Sequence, residues 1–145
     1  MALKYNDVLE EFESISRRYK NLVDSDVGEA YSLMINSSSL LSSYEQMYAD
    51  AIKLVSMKER LAKATEARVS CELSPKPTEG ARRAAFHEDV LNGWKDYAES
   101  LRNQKYIEAN SKFLSRVYFD TKMIVENCYR KERPAVRDDR VVGRV

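Results

Sequence analysis

The sequence predicts an all-α fold: a short N-terminal helix plus a long antiparallel helical hairpin, assembling as an oligomeric coiled-coil-like bundle. Three observations carry that expectation. The 145 residues include only 4 Gly and 3 Pro, far too few for a turn-rich β protein. Apolar residues recur at steps of three and four through most of the chain, the period of a helix rather than a strand. The one dense proline turn, Ser74-Pro75-Lys76-Pro77, falls between the two longest periodic stretches, so those stretches are expected to fold back on each other.

The first helix is expected over residues 3–22. Tyr5, Val8, Phe12, Ile15, Tyr19 and Leu22 lie on one helical stripe. Asp24-Ser25-Asp26 then offers capping oxygens, and Glu29 stands where a capping box starting at Asp26 needs its partner. The second helix is expected over 27–73. Val27, Met34, Leu41, Tyr48, Val55, Ala62 and Val69 repeat every seventh residue, with Tyr31, Tyr44 and Ile52 as the alternate apolar position. Ser37-Ser38-Ser39 is its weak point, and a kink or interruption is expected there because serine is a mediocre helix former.

The third helix is expected over 79–132, capped by Thr78. Its seam is Val90, Trp94, Tyr97 and Leu101, continued by Ile107, Leu114, Val117, Thr121, Ile124 and Cys128. Pairing about the proline turn sets Trp94 opposite the neighbourhood of Glu59. Residues 1–133 then form a single helical domain, and 134–145 a flexible basic tail without periodicity. Leu54, Met57, Leu61, Ala64, Phe113, Tyr118 and Phe119 fall off these seams. A two-helix hairpin has no interior deep enough for them, so a homo-oligomer is expected.

Two cysteines cannot form a disulfide scaffold, and no apolar run approaches the ~20 residues of a membrane span. The opening MALKYNDVLEEF lacks the apolar core of a signal peptide. The expected compartment is cytoplasmic, with no membrane association. Cys71 and Cys128 are expected to be distant from each other and to serve as small buried hydrophobes.

Enzymatic chemistry finds little support. His87, the single histidine, adjoins Glu88 and Asp89, but helical neighbours point apart and no converging ligand set follows. The Glu-x-x-His pairs of di-iron bundles are missing. Gly28, Gly80, Gly93 and Gly143 are scattered singly, so there is no phosphate-cradling loop. No nucleophile context is recognisable. The expectation is a non-enzyme with no cofactor and no metal.

Charge is informative once divided by position. Residues 1–52 carry nine acidic and four basic side chains, whereas 53–83 carry eight basic and four acidic. The eight are Lys53, Lys58, Arg60, Lys63, Arg68, Lys76, Arg82 and Arg83. Lys53, Arg60 and Lys63 share a helix face, and Arg68, Lys76, Arg82 and Arg83 gather at the turn end of the hairpin. Such a cluster suits a phosphate backbone, with binding that weakens steeply as salt rises. The C-terminal Arg130, Lys131, Arg133, Arg137, Arg140 and Arg144 are a second basic candidate, diluted by Asp138 and Asp139.

The basic helix YEQMYADAIKLVSMKERLAKATEARVSCEL, the turn SPKPTEG and the long return helix holding the run from DVLNGWKDY to KMIVEN make up 44–132. This layout resembles the small helical phage proteins of the UvsY type, recombination mediators that help load a RecA-like recombinase onto single-stranded DNA. The resemblance covers about three-fifths of the chain, rests on architecture and charge placement rather than a motif, and has no counterpart for the first helix. It implies a ring-shaped oligomer in the host cytoplasm. It also implies DNA binding through Lys53, Lys58, Arg60, Lys63 and Arg68, with a recombinase or single-strand-binding protein as partner.

The expected function is therefore a non-enzymatic oligomeric accessory protein binding single-stranded DNA. The alternative is a helical adaptor or virus-encoded inhibitor acting through its acidic surface of Asp7, Glu10, Glu11, Glu13, Asp24, Asp26 and Glu29. A third reading is a structural coiled-coil element in which only the seams matter.

Overall fold

The computed structural model describes residues 5–132, and the expected basic tail at 134–145 lies outside them. The described residues are all-α: α1 is Tyr5–Lys20, α2 Val27–Leu73, α3 Pro77–Ala84 and α4 Glu88–Glu132. The long return helix expected over 79–132 is thus two helices. The break spans Ala85–His87, where Phe86 and His87 donate to the carbonyls of Arg83 and Ala84, three residues back. His87 then caps α4, its Nδ1 accepting the Asp89 amide at 3.2 Å. A cap ends one helix and begins another, and the periodicity around these residues does not reveal it.

The other boundaries have equally local causes. α3 begins one residue before the expected cap Thr78, because Pro77 is suited to the first turn, where its missing N–H costs nothing. Ser74 Oγ accepts the Lys76 amide at 3.2 Å just ahead of it. Asp26 caps α2 by accepting the Glu29 amide at 3.0 Å. The reciprocal half of that capping box is absent from the bonds observed, because Glu29 spends its carboxylate on Arg18 at 2.6 Å.

α2 is unbroken from Val27 to Leu73, so the expected interruption at the serines is absent. Ser37 is fully buried and returns its hydroxyl to the Met34 carbonyl at 3.1 Å, which satisfies a polar group that would otherwise be costly inside.

The described residues fall into two compact units, 5–41 with 114–132, and 42–113. In the first unit α1 docks on its own chain. Arg18 bonds Glu29 and Ser32 of α2, and the Tyr19 hydroxyl donates to Asp120 of α4. Val8 and Ile15 are buried from α1, as are Ala30, Leu33, Ser37 and Leu40 from α2 and Leu114, Val117, Thr121 and Val125 from α4.

The buried stripe of α2 differs from the expected heptad. Val27, Met34 and Leu41 are only half-buried, and Tyr31 is 51% exposed. The true stripe in this unit is Ala30, Leu33, Ser37 and Leu40. Small residues let helix backbones approach, so Ala30 and Ser37 are core here although neither scores as strongly apolar.

In the second unit the contacts of α2 and α4 run in opposite order. Tyr44 accepts from Asn110 Nδ2 at 3.3 Å, Gly93 lies against Ala62, Trp94 Nε1 donates to Glu66 at 3.1 Å, and Arg68 reaches Asp89 at 3.8 Å. Trp94 meets Glu66 rather than the neighbourhood of Glu59. Helical side chains lean toward their own N-terminus, which for α4 in this antiparallel pair is toward higher numbers on α2. Val69, Ala84 and Val90 form a small core with Trp94 packed on it, which ties α3 to both long helices. Ile52, expected on the seam, is 44% exposed, and Ala51 is buried in its place.

Candidate nucleic-acid interface

All eight basic residues singled out from the sequence, Lys53 to Arg83, belong to the second unit. α2 carries five of them, of which Lys53, Arg60, Lys63 and Arg68 are exposed and Lys58 is half-buried. Lys53 and Arg60 are separated by two turns and nearly eclipse one another along the helix axis, with Lys63 about 60° further round. Lys76 immediately precedes α3, and Arg82 and Arg83 are exposed on it. α3 packs on the end of α2 at Gly80, where an added Cβ would stand 2.4 Å from the Ser70 carbonyl oxygen. That contact draws Arg68, Arg82 and Arg83 toward one end of the unit. Lys53 is fifteen residues up α2 from Arg68, about 22 Å along the axis, so the eight form a stripe with a terminal cluster rather than one patch.

The carboxylates of 53–83 decide which cations are free. Glu59 takes Lys63 at 2.7 Å, Glu72 takes Arg68 at 3.1 Å, and Glu79 takes Arg83 at 2.5 Å. Glu66 accepts the Trp94 indole N–H instead. Every acid of the stretch is therefore committed. Its hydrogen bond to Glu59, with the charge behind it, raises the Lys63 ammonium above its ordinary range and holds it charged. Lys53, Lys58, Arg60, Lys76 and Arg82 form no ion pair among the described residues. Lys58 lines a shallow groove of about 330 Å³ with Leu61, Arg68, Asp89 and Asp96, so acids partly offset its field.

The apolar side chains beside this stripe are not hidden. Leu54 is 38%, Met57 50% and Leu61 54% exposed on α2. Phe86, between α3 and α4, is 82% exposed. Sequence periodicity misses Phe86 because it falls in the break between helices, where no stripe applies.

The remaining sequence candidates fall elsewhere. Arg130 and Lys131 are exposed at the end of α4, while Arg133, Arg137, Arg140 and Arg144 lie outside the described residues. Cys71 is exposed and Cys128 half-buried, both free, so neither is the buried hydrophobe expected. Cys71 is two positions past the core residue Val69, about 200° round the helix and hence outward. The Cys128 thiol is pushed up by desolvation and by Glu132, whose carboxylate it faces at 3.6 Å. Among the described residues no three His, Cys, Asp or Glu side chains converge as a metal site requires, and no helix is long and apolar enough to cross a membrane.

On the acidic side, Asp7, Glu10 and Glu13 are exposed on α1 and form no ion pair among the described residues, while Glu11 is half-buried. Asp26 and Glu29 are spent on the α2 cap and on Arg18.

No family model matches the chain, and neither the curated proteins nor the solved structures searched contain a match to it.

Proposed function

We propose that this is a non-enzymatic accessory protein that binds single-stranded nucleic acid through the basic stripe of α2 and α3, in the manner of a recombination or replication mediator. The observation that carries the reading is the commitment of all four carboxylates in 53–83, which leaves Lys53, Lys58, Arg60, Lys76 and Arg82 to act on a ligand. A polyanion gains most from cations that have no internal partner. The antiparallel contacts of the second unit fit a long helical hairpin as the scaffold. The exposed Leu54, Met57 and Leu61 fit packing of one copy on another, and repeated copies would add avidity along a strand.

The test is fluorescence anisotropy with a labelled single-stranded oligonucleotide at low and high salt, comparing the wild type with Lys53→Glu/Arg60→Glu/Arg82→Glu. All three positions are exposed, so the helical circular dichroism should be unchanged while binding is lost. Wild-type binding that survives high salt, or a triple variant that binds normally, refutes the reading.

The exposed carboxylates of α1 favour a second reading, a protein-binding module acting through an acidic face. Neutralising Asp7, Glu10 and Glu13 to Asn and Gln would disable that module and leave any nucleic-acid binding intact.

A further inference from the structure

We propose that Phe86 is a base-stacking residue of the basic site, which makes unpaired strands its ligand in preference to duplex. The inference rests on the polyanion reading above and adds to it the form of nucleic acid and the contact that selects it.

The placement of the ring follows from the backbone. After α3 the chain keeps winding for one more turn: Ala85 donates to the Ala81 carbonyl, Phe86 to Arg83 and His87 to Ala84. Ala84 is fully buried in the small core with Val69 and Val90. Two residues further on, about 200° round the same winding, Phe86 must point away from that core. It does so at 82% exposure, the highest of the large apolar side chains described. The ring is therefore not idle through looseness, since hydrogen bonds on both sides hold its backbone.

The neighbours of the ring indicate its ligand. Arg82 and Arg83 lie four and three residues before Phe86 on a helical path, which brings all three to one side. Arg83 is held by Glu79, whereas Arg82 has no carboxylate among the described residues. An anchor for a protein partner usually belongs to a contiguous apolar patch, whereas the exposed side chains just before Phe86 along the chain are Arg82, Arg83 and the small Ala85, and the exposed Leu91 lies five residues on, past the His87 cap. A planar ring flanked by a free guanidinium instead matches a nucleotide, which offers a base face and a phosphate together. In a duplex the base faces are already stacked and must be pried apart to admit a ring, whereas an unpaired strand offers its base faces freely.

The experiment measures binding of single-stranded and duplex oligonucleotides to wild type, Phe86→Ala, Phe86→Leu and Phe86→Tyr, with 2-aminopurine in the strand as a stacking reporter. Because the side chain is exposed, none of these changes should alter the helical signal. Phe86→Ala should weaken single-strand binding at least about fivefold, leave duplex binding unchanged and abolish the 2-aminopurine response. Phe86→Tyr should behave as wild type, and Phe86→Leu, apolar but not planar, should behave as alanine. Unaltered single-strand affinity in Phe86→Ala overturns the proposal, as does a leucine variant as good as wild type. In either case the salt-sensitive binding lost by the charge reversals would persist, and the polyanion reading would stand without the stacking residue. If wild type binds neither form at low salt, the polyanion reading fails and this inference falls with it.

Discussion

Two helical glycines with opposite surroundings show how a single residue sets the energetics. Gly80 packs so closely that a Cβ would meet the Ser70 carbonyl oxygen at 2.4 Å and Ser70 Oγ at 2.8 Å. Gly93 leaves 3.4 Å to the Ala62 Cα, an ordinary contact. Replacing a helical glycine by alanine gains roughly 0.5–1 kcal/mol from the backbone, whereas forcing atoms into a filled contact costs about 1–3 kcal/mol. Gly80→Ala should therefore lower the unfolding free energy in urea titration, because the backbone of α2 cannot yield. Gly93→Ala should raise it.

Tyr19 adds a pH dependence at the same scale. The hydrogen bond it donates to Asp120 is the largest cause raising its phenol above the ordinary value near 10, followed by desolvation. A folded-state pKa above the unfolded one means that the stabilisation is complete below about pH 10 and is lost as pH rises through the higher folded value. Wild type should lose stability in that alkaline window, as followed by tyrosinate absorbance and circular dichroism. Tyr19→Phe should be less stable at neutral pH and flatter across the window.

At the level of elements, the sequence was most legible where strong hydrophobes keep one period and least where small or polar residues do the packing. Pro75 and Pro77 mark the end of α2, and Ala62, Val69, Val90, Leu114 and Val117 are both expected and buried. The buried face of α2 departs from the expected heptad because its interior stripe includes Ala30, Ser37 and Ala51, while the larger Tyr31 and Ile52 face outward. Hydrophobicity counts favour the bulky residues, whereas close helix packing favours the small ones. The α3–α4 break was missed because its signal is a histidine cap, a device composition does not announce. Ser37→Leu tests this account directly. It would improve the apparent heptad, yet it places two extra heavy atoms at a position with no exposure. It should destabilise by about 1–3 kcal/mol in thermal or urea unfolding, whereas Ser37→Ala should be close to neutral. A stabilising Ser37→Leu would show that the interior stripe has been placed wrongly.

For the molecule as a whole, the sequence exposes the charge asymmetry but not which charges are available. Eight cations in 53–83 look equivalent in the sequence. Structure separates Lys63, Arg68 and Arg83, each held by a carboxylate one turn away, from the five without one. Spacing of four residues permits such pairs but does not choose between them: Glu72 has Arg68 and Lys76 at that distance and takes Arg68, the one on its own helix, because α2 ends at Leu73. The distinction has a measurable consequence for the proposed ligand. Each phosphate neutralised on a single strand contributes about 0.7 to the slope of log affinity against log salt. A cation already balanced by its own carboxylate displaces no counterion from the strand and contributes little. Lys53→Ala/Arg60→Ala should therefore flatten the salt slope for an oligonucleotide by about 1.4. Arg68→Ala/Arg83→Ala, which removes the same formal charge, should change the slope far less while lowering affinity uniformly through Glu72 and Glu79, left without their partners. Equal flattening by the two pairs would mean that net charge alone governs binding, and that the internal ion pairs open to meet the strand.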